Sequence, residues 1–112
     1  MRYQEVVPIT RDQAEAAFAT GNPTRVCDAL VRITYHDPDW RWVHDWCVRL
    51  VRHSHPAIRG CAATCFGHLA RIHRVGELKT VVPILEELLE DPEVAGRAGD
   101  ALEDIRMFLP DE

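Results

Sequence analysis

Cys61, Cys65 and His68 are spaced i, i+4 and i+7. On a helix that spacing sets three groups of zinc-ligand type along one face. His53-Ser54-His55 adds a histidine pair, and His36-Asp37 and His44-Asp45 each place an imidazole next to a carboxylate. A structural zinc site closes with four ligands, and this set offers no fourth at a fitting spacing. No Gly-rich phosphate loop is present, and spacing assigns no Ser-His-Asp or Cys-His pair. Cys27, Cys47, Cys61 and Cys65 fall on apolar helix faces, a setting that does not activate thiolates. Cys61 and Cys65 lie one turn apart on one helix, which suits packing better than a disulfide. The expectation is four reduced core thiols, no catalytic residue, no metal and no cofactor.

The elements that must position these residues follow from an internal repeat. Ala29-Leu30-x-x-Ile33 returns as Cys65-Phe66-x-x-Leu69 and as Ala101-Leu102-x-x-Ile105, each 36 residues after the last. A fixed period of this size marks an α-solenoid, in which each helical pair hides its apolar face against its neighbours.

Six helices are predicted, at about 11–20, 24–35, 39–52, 57–73, 77–90 and 93–108. They pair into repeats at about 10–36, 37–75 and 76–108, within one domain spanning 1–112. Thr10 and Gln13 fit a capping box, and Gly21 is a C′ residue. Asp37-Pro38 and Asp91-Pro92 each read as an N-cap followed by Pro at N1, and Gly76 as the end of the fourth helix. Apolar stripes run through Val43, Trp46, Cys47, Leu50 and Val51, and through Ile58, Cys61, Ala62, Cys65, Phe66, Leu69 and Ile72. A third comprises Leu78, Val81, Val82, Leu85, Leu88 and Leu89; Pro83 within it either kinks that helix or marks its true start. Residues 1–9 read as a short extended lead-in.

The net charge of −5 is unevenly spread. Residues 77–112 carry eleven acidic residues against Lys79, Arg97 and Arg106, a net −8, while residues 1–76 carry seven against ten arginines, a net +3. An acidic end repels nucleic acid and attracts basic protein surfaces. No segment has the pattern of a signal peptide or the length of a membrane span, so a cytoplasmic location is expected.

His55-Pro56-Ala57-Ile58-Arg59-x-x-Ala62-Ala63-x-x-Phe66-Gly67-x-Leu69-Ala70 resembles the second helix of a HEAT repeat, and Asp91-Pro92-Glu93-Val94 with Ala98, Leu102 and Ile105 is a second match. The resemblance covers about 10–108 and implies an all-α fold of three HEAT-like hairpins. It implies a salt-bridging role for Arg59, whose equivalent in the last repeat is Ala95, and a first repeat that is a shortened cap. HEAT proteins that bind iron carry His-Glu dipeptides, which this chain lacks, and those that bind DNA carry a basic groove.

In this family the second helices line the concave face. The 36-residue register then places Arg32, His68 and Asp104 side by side, and likewise Asp28, Thr64 and Asp100. Gly60, Ala63 and Gly67, with Gly96, Gly99 and Glu103, form a small-residue strip that serves either close helix packing or close approach of a partner. Trp46 belongs to the core stripe; Trp40 and Trp42 either cover the junction of the first two repeats or anchor a partner. The expected partner-binding set is thus Asp28, Arg32, Trp40, Trp42, Thr64, His68, Asp100, Glu103 and Asp104. The resemblance is similar to that of small stand-alone bacterial immunity proteins, which bind toxins. The expected function is non-catalytic protein binding, with a basic toxin domain as partner and neither nucleic acid nor membrane. A general scaffold or accessory subunit is the alternative, and a HEAT-type enzyme or lyase subunit the third reading.

Overall fold

Thr10 opens the first helix with a full capping box. Its hydroxyl accepts from Gln13 N–H at 3.1 Å, and its own N–H donates to Gln13 Oε1 at 3.0 Å. Helix α1 (Arg11–Ala19) stops at Gly21, whose φ of +65° is the left-handed conformation that favours glycine. Asn22 then caps α2 (Pro23–His36) with Pro23 in the first turn. The computed structural model describes residues 6–110; the part of the expected lead-in at 1–5 lies outside them. Helices α3 (Trp40–Leu50) and α4 (Pro56–His73) follow, then a 3-10 turn over Gly76–Val81, α5 (Val82–Leu88) and α6 (Ala95–Phe108). The described residues are all helical or irregular, with no strand among them.

Several caps differ from expectation. Asp39, not Asp37, caps α3, because Asp37 Oδ1 is taken by Asp39 N–H at 2.9 Å. Asp91 does not cap α6 either. Its side chain accepts from Glu93 N–H and its carbonyl from Val94 and Ala95 N–H, so 91–94 form a turn and α6 starts at Ala95. The fourth helix ends at His73 with Arg74 in the left-handed region (φ +53°), and Gly76 opens the next element. Pro83 does not kink a long helix. It sits in the first turn of a short α5, where its missing N–H is harmless, and the 3-10 turn absorbs the preceding residues. His55 caps α4, its Nδ1 accepting from Ala57 N–H at 3.1 Å.

Helix α4 is the centre, packed between α2 on one side and α6 on the other, while α1, α3 and α5 back the row. The connectors are short, so successive helices run antiparallel. One apolar cluster threads all six helices, with Leu30, Ile33, Val43, Ile58, Phe66, Leu69 and Leu85 fully buried. Four residues leave their expected stripes: Ile72 (38% exposed) and Leu89 (44%), near the ends of their helices, face solvent, and Trp46 and Val82 are only half-buried, the Trp46 ring 4.5 Å from Phe18. Helix α2 is about one turn shorter than α4, but α6 has the same 14 residues, so length does not single out the first repeat.

Ion pairs stitch successive pairs of helices. Arg11 meets Asp37 at 3.0 Å, Arg41 meets Glu77 at 3.0 Å, and Arg52 meets Glu87 at 3.1 Å. The last two are exposed on both sides and each stabilises by at most about 1 kcal/mol. Arg59 is more enclosed. It reaches Asp91 at 3.0 Å and Glu93 at 3.4 Å while donating to the carbonyls of His53 and Ser54.

A candidate protein-binding face

The outward surface of α2, α4 and α6 brings together Thr64, His68, Asp100 and Asp104 of the expected set. Thr64 and Asp100 line one groove of about 500 Å³ with Cys27, Val31, Ala57, Cys61 and Arg97. His68 and Asp104 lie beside it, close enough for the Asp104 charge to act on the imidazole. Glu103 is exposed on α6.

The other expected residues are elsewhere. Arg32 does not stack on His68. Its guanidinium donates to the Val7 carbonyl at 2.7 Å and the Pro8 carbonyl at 3.4 Å, and pairs with Asp28 at 3.2 Å. Asp28 and Arg32 therefore line a separate groove between α1 and α2. His36 also bonds the Val6 carbonyl, so residues 6–8 are strapped along the outer edge of α2. Trp40 and Trp42 sit on α3, in the backing row. Both are half-buried against the core, with Arg41 lying over Trp40 (4.5 Å) and Arg11 over Trp42 (4.4 Å). They cover the core at the junction of the first two repeats.

The small-residue strip divides. Gly60, Ala63 and Gly67 are buried under α6 and offer no partner access. A Cβ on Gly67 would lie 2.7 Å from Asp104 Oδ2 and 3.2 Å from Ala101 Cα, so glycine sets the approach of α4 to α6. The equivalents on α6 do not repeat this: Gly96 has open space above it, and Glu103 stands in the place of Gly67.

Tyr35 and Arg71 were absent from the expected set, yet with His68 they form a polar cluster across α2 and α4 on this face. Arg71 Nη2 donates to Tyr35 Oη at 3.1 Å and to His68 Nδ1 at 3.0 Å, and the Tyr35 and His68 rings lie 5.2 Å apart. Tyr35 and Arg71 are themselves 36 residues apart, so the repeat register carried the signal. Burial, reinforced by Arg71, holds His68 below the usual imidazole range. The neutral ring is the form that can accept from Arg71.

The thiols run inward from the groove. Burial, with Cys61 beside it, pushes Cys27 up to about 12; Cys61 and Cys65 rise as well, through thiol–thiol hydrogen bonds and burial. Cys65 turns towards Cys47 and Thr34 while His68 turns out to Tyr35, so the i, i+4, i+7 set does not converge on one point.

Charge on the face is mixed. Of the acids between 77 and 110, Glu77, Glu87, Asp91 and Glu93 are answered by arginines. Among the described residues Glu86, Glu90, Asp100, Glu103 and Asp104 make no ion pair, which leaves the uncompensated negative charge on α6 and the end of α5.

No family model and no curated protein matches the chain. Among solved structures it matches a chain in the crystal structure of a CDI complex from Cupriavidus taiwanensis LMG 19424. The two are 35% identical, the match covers 96% of each chain, and the TM-score is 0.84. The chain belongs to the family of this CDI-complex protein. The shared fold is thus the all-helical one described above. No helix of the described residues is long and apolar enough to cross a membrane.

Proposed function

We propose that this chain is the immunity component of a contact-dependent inhibition pair, a cytoplasmic protein that binds a toxin domain and blocks it without chemistry of its own. The observation that carries this reading is the 35% identity over 96% of both chains to a member of a CDI complex. The polypeptide works as a three-hairpin HEAT-like stack. The central position of α4 between α2 and α6 supports that, as does the bridge from Arg59 to Asp91 of the next hairpin. The partner is a basic toxin domain rather than nucleic acid or membrane. The unpaired carboxylates Asp100, Glu103 and Asp104 support this, since they steer a basic surface towards α6 and speed its association.

Burial and thiol–thiol hydrogen bonds hold Cys27, Cys61 and Cys65 in their protonated form, which suits packing rather than nucleophilic attack. The test is co-expression with the product of the neighbouring toxin gene, with cell survival and co-purification as readouts. Survival of cells that would otherwise die, together with a salt-sensitive complex, is the expected result. Growth arrest despite soluble expression of both chains refutes the reading.

A further inference from the structure

We infer that the partner is gripped at Arg71, which takes an acidic side chain of that protein while Tyr35 and His68 hold the guanidinium in place; this rests on the reading of the chain as one member of a CDI pair. A guanidinium carries five N–H donors. The two on Nη2 go to Tyr35 and His68, and Nε and Nη1 have no partner among the described residues. Arg11, Arg32, Arg41, Arg52 and Arg59 each meet a carboxylate within 3.2 Å, whereas no described carboxylate pairs with Arg71.

Among the described residues other arginines also lack a carboxylate, but Arg71 alone of these is held by side chains of two helices. Its guanidinium lies 5.8 Å from the Tyr35 ring on the other side of the α2–α4 seam. A guanidinium already held in one geometry loses little rotamer freedom when a ligand arrives. It sits in the last turn of the central helix, and Arg and Tyr are among the residue types that dominate binding energy. The fit is to a carboxylate oxygen: with both Nη2 protons taken, Nη1 or Nε donates a single charge-assisted hydrogen bond to it. Asp100 and Asp104 on the adjoining helix disfavour a polyanion such as nucleic acid and favour a lone acid set among basic groups.

The experiment measures the affinity of the toxin domain encoded beside this gene for the wild type, Arg71→Ala, Arg71→Lys, Tyr35→Phe and Arg106→Ala, with a melting curve for each. Arg106 lines the separate α5–α6 groove and controls for loss of one positive charge. The expectation is about thirtyfold weaker binding for Arg71→Ala, about tenfold for Arg71→Lys, a few-fold for Tyr35→Phe and less than about threefold for Arg106→Ala. Tyr35→Phe removes only a hydroxyl at an exposed site, so it reports on the cluster even if Arg71→Ala folds poorly. A folded Arg71→Ala within about threefold of a tight-binding wild type overturns the inference. So does a Tyr35→Phe indistinguishable from wild type beside an unfolded Arg71→Ala. A wild type that does not bind the domain at all overturns the CDI reading itself.

Discussion

One substitution made at three places tests the packing of α4 on α6. Gly→Ala inside a helix stabilises by about 1 kcal/mol where the methyl has room, because alanine has less backbone freedom to lose. At Gly99 the new Cβ meets only Leu89 Cδ2, at 3.8 Å, an ordinary contact. Gly99→Ala should therefore gain about 1 kcal/mol. At Gly60 the Cβ lies 2.9 Å from Arg97 Cδ, the stem of a flexible exposed side chain that can swing away. Gly60→Ala should fall within about 0.5 kcal/mol of wild type, the propensity gain offsetting the displacement. At Gly67 the Cβ lies 2.7 Å from Asp104 Oδ2 and 3.2 Å from Ala101 Cα. The carboxylate can rotate but the Cα cannot, so α6 must back away. Overpacking of this kind costs about 1–3 kcal/mol against a propensity gain of about 1, for a net loss of about 1 kcal/mol. The gap between Gly99→Ala and Gly67→Ala is then about 2 kcal/mol, or about 8 °C in melting temperature for a domain of this size. Urea unfolding followed by circular dichroism at fixed pH measures all three. Equal stability of Gly67→Ala and Gly99→Ala would refute the close approach of α4 to α6.

Phe66→Ala should lose about 3–5 kcal/mol, since its ring is fully buried and packed edge-on against His44 of α3; a loss under about 1 kcal/mol would mean the core register is wrong. Replacing Asp100, Glu103 and Asp104 by Ser should leave the urea midpoint nearly unchanged and slow association with a basic partner; unchanged association at low salt would remove the acidic face from the interface. Stability should fall as pH drops from about 7 towards 5, because burial lowers His44, His68 and His73 below 6.5. In that window the unfolded chain binds more protons than the folded one, so acidification favours unfolding. The Asp37 contribution, held low by Arg11, should persist to a lower window and vanish as pH falls below the usual carboxylate value of 3.8. A urea midpoint flat between pH 7.5 and 5.5 would contradict the histidine assignment.

The helices and the core were legible because both depend on local spacing. Apolar residues at i, i+3 and i+4 can only face one way, and Gly21 and Pro23 punctuate whatever the rest of the chain does. Cap identity was less legible. Asp37-Pro38 and Asp91-Pro92 carry the right residues, but each Asp side chain bonds the N–H two residues on and closes a turn instead. Thr64, His68, Asp100 and Asp104 share one face, as the 36-residue register places them, whereas Trp40 and Trp42 lie on α3 in the backing row, over the repeat junction.

From the sequence alone come the period, the all-helical class, the uneven charge and the alignment of positions one repeat apart, since these follow from residue order and helix geometry. Tertiary structure decided which aligned side chains remain free. Arg32 and His68 are equivalent by register, yet Arg32 is held by the Val7 and Pro8 carbonyls while His68 is held by Arg71. Gly60 and Gly96 are equivalent too, yet one is buried by a following helix and the other open. A repeat makes positions the same, but a finite stack makes its two ends different. What covers an end is set by contacts from distant parts of the chain, which no local pattern encodes.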